Sequence, residues 1–354
     1  MDQLEPRPEQ SRDLECEVVC ALFSCDPNCH ELRYTGVMGR ADPYPLDRYL
    51  DASRTLSLDE YDWSRATAHP LDPDVERSMV FMLRIEAQTL FYVRDLLNSR
   101  TAFVPGVGAF MAVWLYEEER HSRIFRRFLA ERGIVVPEED RAAVRRASVG
   151  GPREWIEATF VKWFGHVSDH VIAVHMTWGA YQELSTIHGY ELLGSRSNHP
   201  FLKELCDSIA KDERRHFAFY FNQAARHLDS PRAQKLVRGI IKHYWKPVGF
   251  GIHSPQHVHQ FIEWLFGDAE GQERFRQMDE TLGKLPGMAG LDAFTTFLWK
   301  GKKYIADRES RGLDFEDWTP MPKRGARSNG GMTTLTAGAA LAGTGLTGAR
   351  DESA

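Results

Sequence analysis

The sequence predicts an all-α protein, and three observations carry that expectation. Hardly any segment alternates apolar and polar residues with period two. From Asp74 onward, long stretches instead repeat their apolar residues every three to four positions. The Pro and Gly residues that break such patterns fall mostly between these stretches.

Residues 1–70 are mixed in texture. Turn signals at Asp26-Pro27, Asp42-Pro43 and Pro45 predict an N-terminal extension of short helices and loops. Asp72-Pro73-Asp74 opens the first long helix, with acids placed where the helix dipole favours them, and the pattern runs to about Arg100. A second helix is expected from about Pro105 to Arg132, stopping at Gly133. A third runs from about Pro152 to Leu193, with a kink at Gly179 and a stop at Gly194. A fourth starts at His199-Pro200 and reaches about Leu228. Ser230-Pro231 begins a fifth, ending near Tyr244. Further helices are expected over about 255–267, 270–281 and 291–306. Residues 71–322 thus form the main helical domain. Residues 323–354, rich in Gly, Ala and Thr without an apolar stripe, are expected to be a disordered tail.

The bulk numbers narrow the class. A chain of 354 residues buries a sizeable core without disulfides, and 42% hydrophobic with 27% charged residues is ordinary for a soluble globular protein. No run approaches the ~20 apolar residues that cross a bilayer. The acidic, polar start from Met1 to Glu17 has no secretory pattern, so a cytoplasmic location is expected. A net charge of −6 argues against a nucleic-acid binder. Four of the five cysteines, Cys16, Cys20, Cys25 and Cys29, cluster beside His30. Their spacing allows metal knuckles, but only four residues separate the two pairs, which is cramped for a closed tetrahedral site. A helix with ordinary thiols, broken at Pro27, is the alternative.

The acids on the long helices carry the functional signal. Positions i, i±3, i±4 and i±7 share one helix face. Around Glu86 that face holds Met79, Met82, Leu83, Thr89, Leu90 and Val93. Around Glu118 it holds Met111, Trp114, Leu115, His121 and Phe125. Met176, Ala180, Thr186, Ile187 and Tyr190 flank Glu183, and Cys206, Ile209, Ala210, His216 and Tyr220 flank Glu213. Each helix therefore sets one glutamate inside an apolar stripe, and two add a histidine one turn later. An unpaired buried carboxylate costs several kcal/mol, roughly, so it neutralises, pairs or binds metal. Two multivalent cations resolve the repulsion among four such groups, and a mixed carboxylate–imidazole shell suits iron or manganese. One Glu-x-x-His is weak evidence in a chain with 14 histidines. Here an acid–Glu–x–Arg–His pattern occurs twice, at Glu117–His121 and Asp212–His216. The order of lone Glu, motif, lone Glu, motif matches the established ligand template of di-iron carboxylate bundles. The competing view is a solvated charged face with incidental i,i+4 pairs, which the Met and aromatic flanks oppose.

At these residues the chain resembles the soluble acyl-(acyl carrier protein) desaturases, which carry Glu-Glu-Asn-Arg-His and Asp-Glu-Lys-Arg-His where this chain reads EEERH at 117–121 and DERRH at 212–216. Gln182-Glu183 with Thr186 three residues later also agrees. The resemblance implies a ferritin-like four-helix bundle core with additional helices. It implies Glu86, Glu118, His121, Glu183, Glu213 and His216 as ligands of two iron ions. Thr186 becomes a hydroxyl near the dioxygen site and Asp212 the partner of His121. It further implies dioxygen as co-substrate, external electrons from a ferredoxin-type donor, an acyl carrier protein bearing the substrate, and a homodimer. Trp63 aligns weakly with the family's electron-entry tryptophan; an ordinary packed Trp is the alternative. Met176, Trp178, Phe217 and Tyr220 are channel candidates, although such residues are more often core. Carrier proteins are acidic, so Arg120, Arg123, Arg126, Arg127 and Arg132, with Arg141, Arg145 and Arg146 beyond, are a candidate docking patch; a salt-paired face with Glu131, Glu138 and Glu139 is the other reading. Ser122 and Phe217 follow the two motif histidines where plant members have Gly and Glu, and Glu86 and Glu118 lie closer in sequence than in those members, which bears on substrate more than on metal.

Rival functions remain in view. A di-iron hydroxylase or N-oxygenase would use the same site. Arylamine N-oxygenases of this fold carry an extra histidine one turn before the second motif's Glu, where this chain has Ile209. Iron storage proteins are usually much shorter, and a metal-free helical interaction protein would not need all six positions filled. His253, His257 and His259 near Ser254-Pro255 are expected as surface or capping residues, with a second metal site as the alternative. His166 and His170 are expected to be structural.

Overall fold

The computed structural model describes residues 52–53, 57–136, 170–250 and 252–312. The cysteine cluster at 16–29, the 152–169 part of the third expected helix, His166, Arg141, Arg145, Arg146 and the 323–354 tail lie outside the described residues.

The described residues are helical, with no strand among them. Helix α1 spans Pro73–Glu86, α2 Thr89–Leu97, α3 Val107–Glu131, α4 Val171–Arg196 and α5 Pro200–His227. Helices α6 (Pro231–Tyr244), α7 (Pro255–Phe266), α8 (Ala269–Leu282) and α9 (Ala293–Ser310) follow. Short 3₁₀ turns cover Trp63–Thr67 and Arg100–Phe103. The starts are set by local chemistry. Asp72, Ser230, Ser254 and Asp268 each accept a backbone N–H of the first turn they precede, and Pro stands at the opening of α1, α5, α6 and α7.

Four long helices close into a ring. α1 packs on α3, α3 on α5, α5 on α4 along much of its length, and α4 on α1. α6, α7 and α8 lie against α4, and α9 packs on α7 and α8. One continuous hydrophobic core runs through all of them. No helix among the described residues is long and apolar enough to cross a membrane.

Two boundaries differ from the sequence expectation. The first helix breaks after Glu86. Ala87 N–H still reaches Leu83 O, but Gln88 N–H bonds to Ile85 O, so the chain tightens into a turn before α2. No Gly or Pro marks this break. Helix α4 runs through Gly179, where the ring of Tyr220 fills the place a Cβ would take. It does not stop at Gly194. A Cβ there would lie 3.0 Å from Cys206 Cβ and 3.3 Å from Lys203 Cα, so this glycine lets α4 and α5 approach closely. The helix ends after Arg196, where Asn198 takes φ 50°.

Candidate metal centre

Glu86 closes α1, Glu118 and His121 lie one turn apart on α3, Glu183 sits mid-α4, and Glu213 and His216 lie one turn apart on α5. All six are buried, none more than 5% exposed. The ring of helices turns them toward one another and divides them into two groups. Glu86, Glu118, His121 and Glu213 form one; Glu118, Glu183, Glu213 and His216 form the other. In each group one donor atom per residue lies within 4.8 Å of all the rest. Donors on opposite sides of a single ion stand roughly 4 Å apart, so each group is near the size one ion demands. Glu118 and Glu213 belong to both.

The imidazoles present Nδ1 to the carboxylates. His216 Nδ1 lies 3.0 Å from Glu213 Oε2, 3.3 Å from Glu118 Oε1 and 3.5 Å from Glu183 Oε2. His121 Nδ1 lies 3.3 Å from Glu213 Oε1 and 4.0 Å from Glu86 Oε2. His121 Nδ1 and Glu213 Oε1 are buried and neither has a hydrogen-bond partner. Once Nδ1 gives up its proton, these two facing lone-pair atoms fit a cation between them.

The opposite ring nitrogens are held by acids from the partner motif. His121 Nε2 is 3.3 Å from Asp212 Oδ2, and His216 Nε2 donates to Glu117 Oε2 at 2.8 Å. A carboxylate accepts, so each Nε2 carries a proton, and in the neutral imidazole Nδ1 is the atom left to hold a cation. Asp212 is the acid that the resemblance pairs with His121. Sequence reasoning misses Glu117, although its signal is present: it occupies in the first motif the place of Asp212 in the second. Arg215 then joins the two acids, reaching Glu117 Oε1 at 2.5 Å and Asp212 Oδ1 at 2.8 Å. Arg120, fully buried, bonds to Glu60 and to Tyr61 Oη, and lies 3.7 Å from Asp212 Oδ2.

Tyr190 belongs to an apolar stripe by its spacing, yet its hydroxyl donates to Glu86 Oε1. Thr89 donates to Glu118 Oε2 at 3.4 Å. Thr186 lies beside the centre on α4 and donates its hydroxyl hydrogen to the Glu183 carbonyl at 2.8 Å.

The electrostatics are those of crowded acids. Burial pushes the Glu86 carboxyl well above the usual range, and the Glu118 and Glu213 charges add to this while Tyr190 opposes it. Burial does the same to Glu183, with Glu213 adding and His216 opposing. Glu213 goes the other way: burial would raise it, but the His121 and His216 imidazoles hold it well below the usual range. Burial alone would lower His121, yet the Asp212 and Glu213 carboxylates lift it to about 9. Without a cation, protons keep the charge of this pocket down.

Other expected residues fall elsewhere. Trp63 packs by its edge on Tyr61 and Phe201 and donates its indole N–H to Leu58 O. Met176, Phe217 and Tyr220 are core, and Trp178 packs against it. The arginines of α3 are not a free patch. Arg120 is buried, Arg126 bonds to Val136 O, Arg127 pairs with Glu131, and Arg132 bonds to Ala66 O and His69 O. Loops return over that helix and use its charges; among the described residues Arg123 alone of the five is exposed without such a bond. His253 stacks on Phe81, His259 on Phe297, and Ser254 rather than a histidine caps α7. None of His253, His257 and His259 joins a metal-type cluster among the described residues.

Residues 99–243 match the family model described as fatty acid desaturase. The desaturase match covers Glu118, His121, Glu183, Glu213 and His216; Glu86 lies before it and rests on geometry alone. Desaturation removes hydrogen, so the match is to a family of oxidoreductases. No curated protein matches the chain.

Proposed function

We propose that the chain is a di-iron, dioxygen-dependent desaturase with a ferritin-like bundle, acting on an acyl chain carried by an acyl carrier protein. One observation carries this reading: two overlapping ligand groups share Glu118 and Glu213 at the centre of a four-helix ring. Four carboxylates and two imidazoles suit iron.

Glu118 and Glu213, common to both groups, would help to hold both ions. Glu86 and His121 would complete one shell, Glu183 and His216 the other. Asp212 and Glu117 hold the Nε2 protons and so aim both Nδ1 atoms inward. Tyr190 orients Glu86. Thr186, one turn after Glu183, gives its hydrogen to the Glu183 carbonyl and would be the hydroxyl near bound dioxygen. Bound iron supplies the dioxygen chemistry: a –CH2–CH2– unit, dioxygen, two electrons and two protons give –CH=CH– and two waters. The electrons come from a ferredoxin-type donor. A homodimer and a cytoplasmic location complete the proposal.

The test is iron reconstitution, then dioxygen with a reduced ferredoxin and a panel of carrier-bound acyl chains, and mass spectrometry of products. Loss of two hydrogens with alkene formation is expected. An alcohol or a nitro product would replace the reading with hydroxylation or N-oxygenation. Buried, apolar Ile209, one turn before Glu213, favours the six-ligand desaturase type.

A further inference from the structure

Helix α6 lies on the outside of the bundle against α4. Its inner face is conventional, with Ala233, Val237 and Ile241 buried. Its outer face is not. A shallow groove there is lined by Leu236, Gly239, Ile240 and Tyr244, with Arg232 and Lys235 beside them. Leu236 and Ile240 are half-buried and Tyr244 is 61% exposed.

Gly239 is the unexplained residue of this face. In the interior of a helix glycine costs about 1 kcal/mol relative to alanine. At Gly179 and Gly194 a neighbour of this chain accounts for the missing Cβ. At Gly239 a Cβ would meet nothing within 4 Å. Packing among the described residues gives it no reason to be glycine, whereas a second helix laid in the groove would, because glycine lets two backbones approach.

The charge of the face is equally one-sided. Pro231–Tyr244 contains Arg232, Lys235, Arg238, Lys242 and His243 and no acid, and Lys246 follows; Asp229, before the helix, is the nearest acid in sequence. Arg238 is occupied by Gly287 O and Ala289 O. Arg232, Lys235 and Lys242 are exposed and make no ion pair among the described residues. The partner is therefore acidic. A second copy placed symmetrically would set these cations against themselves. A lipid surface takes projecting apolar side chains, but Leu236 and Ile240 are recessed. Brief redox contacts are small and polar, which fits an apolar groove poorly.

The position suits delivery of a substrate. Gln182, next to Glu183, donates to Lys246 O at 3.0 Å, and Trp245 packs on Tyr181. The end of α6 is thus fastened to the turn of α4 that carries a glutamate of the centre, one helix diameter of roughly 10 Å away.

We infer that the outer face of α6 is the docking surface for an acidic helix of the acyl carrier protein, seated on Gly239 between Arg232 and Lys235, with Lys242 adding its charge further along the same helix. This rests on the carrier-bound substrate proposed above.

The experiment uses the full iron-loaded chain and the variants Lys235→Glu/Lys242→Glu and Gly239→Leu. Gly239→Leu fills open space and leaves helix packing intact, and melting temperature and iron content report folding in every variant. The probe is acyl-loaded carrier protein, titrated at low and high salt. Each variant should weaken carrier binding by about tenfold or more, raise KM for the carrier substrate, and leave kcat at saturation near wild type. Wild-type-like carrier affinity in both variants overturns the docking site and leaves the desaturase reading standing. Carrier binding that depends on α6 without alkene formation keeps the docking site and sinks the desaturase reading. If the variants instead lose only binding to anionic phosphatidylglycerol vesicles, or only the rate of reduction by the ferredoxin donor, the occupant is not the carrier and the inference fails.

Discussion

Glu117 Oε2 lies 2.8 Å from His216 Nε2, and the two residues belong to different motifs on different helices. Asp212 holds His121 in return. Each motif therefore supplies a ligand pair to the centre and an acid that fixes the other motif's histidine. Arg215 joins the two acids, so the pair of crossed contacts is one network.

The crossing makes Glu117 as important to metal binding as Asp212. Glu117→Ala should weaken iron binding by roughly 10–100-fold, measured by competition with a chelator. Glu117→Gln should lose less, since its amide oxygen still accepts from Nε2. Wild-type affinity in Glu117→Ala would show that the 2.8 Å contact does not orient the ligand.

Sharing separates the four glutamates into two kinds. Glu118 and Glu213 serve both groups, whereas Glu86 and Glu183 serve one each. Glu118→Ala should therefore leave almost no iron, while Glu86→Ala should keep about one ion of the pair. Elemental analysis per chain decides this. Equal losses in the two variants would contradict the shared-ligand geometry.

The centre is legible in the sequence because its residues violate a pattern: acids at 3.6-residue spacing inside stripes of Met, Trp and Phe. Its support is less legible. Tyr190 has an apolar ring, so it passes for core, and nothing local shows that its hydroxyl meets Glu86 from a different helix. The arginines of α3 share a helix face, but that spacing cannot reveal that Ala66, His69 and Val136 return to cover them. The helices are legible where caps and prolines punctuate them. The turn at Ala87-Gln88 is not, since it contains no breaker, and Gly194 misleads because close approach and helix termination call for the same residue.

Gly179 tests that last point separately. Its would-be Cβ falls on the Tyr220 ring, which is itself packed on Phe110 and Trp114. Gly179→Ala should destabilise the protein by about 1–3 kcal/mol through overpacking. In a Tyr220→Ala background the same substitution should cost little, and the double-mutant cycle measures the difference. An additive result would mean that the ring does not hold the glycine in place.

The pH dependence of the metal-free protein follows from groups with opposite signs. His175 and His188 are lowered by burial to about 4 and His253 to about 3, so the unfolded chain takes up protons first and stability falls as pH drops below 6.5. Glu86 and Glu183 are raised, so the folded protein keeps protons that the unfolded chain releases, and stability falls as pH rises above the carboxylate range. His121, raised to about 9, contributes stability that is fully present below 6.5 and lost as pH climbs through 9. That contribution is on the order of 3 kcal/mol. Glu213, held low, matters only at more acid pH. About one unit above 6.5 the lowered histidines are neutral in both states, and only the falling terms remain. The metal-free melting temperature should therefore decline from about pH 7.5 to 9. Iron replaces the protons of the centre and binds better as they leave, so the loaded protein should show no such decline. Melting curves of both forms across this range make the comparison, and a metal-free protein that gains stability toward pH 9 would contradict the charge pattern of the centre.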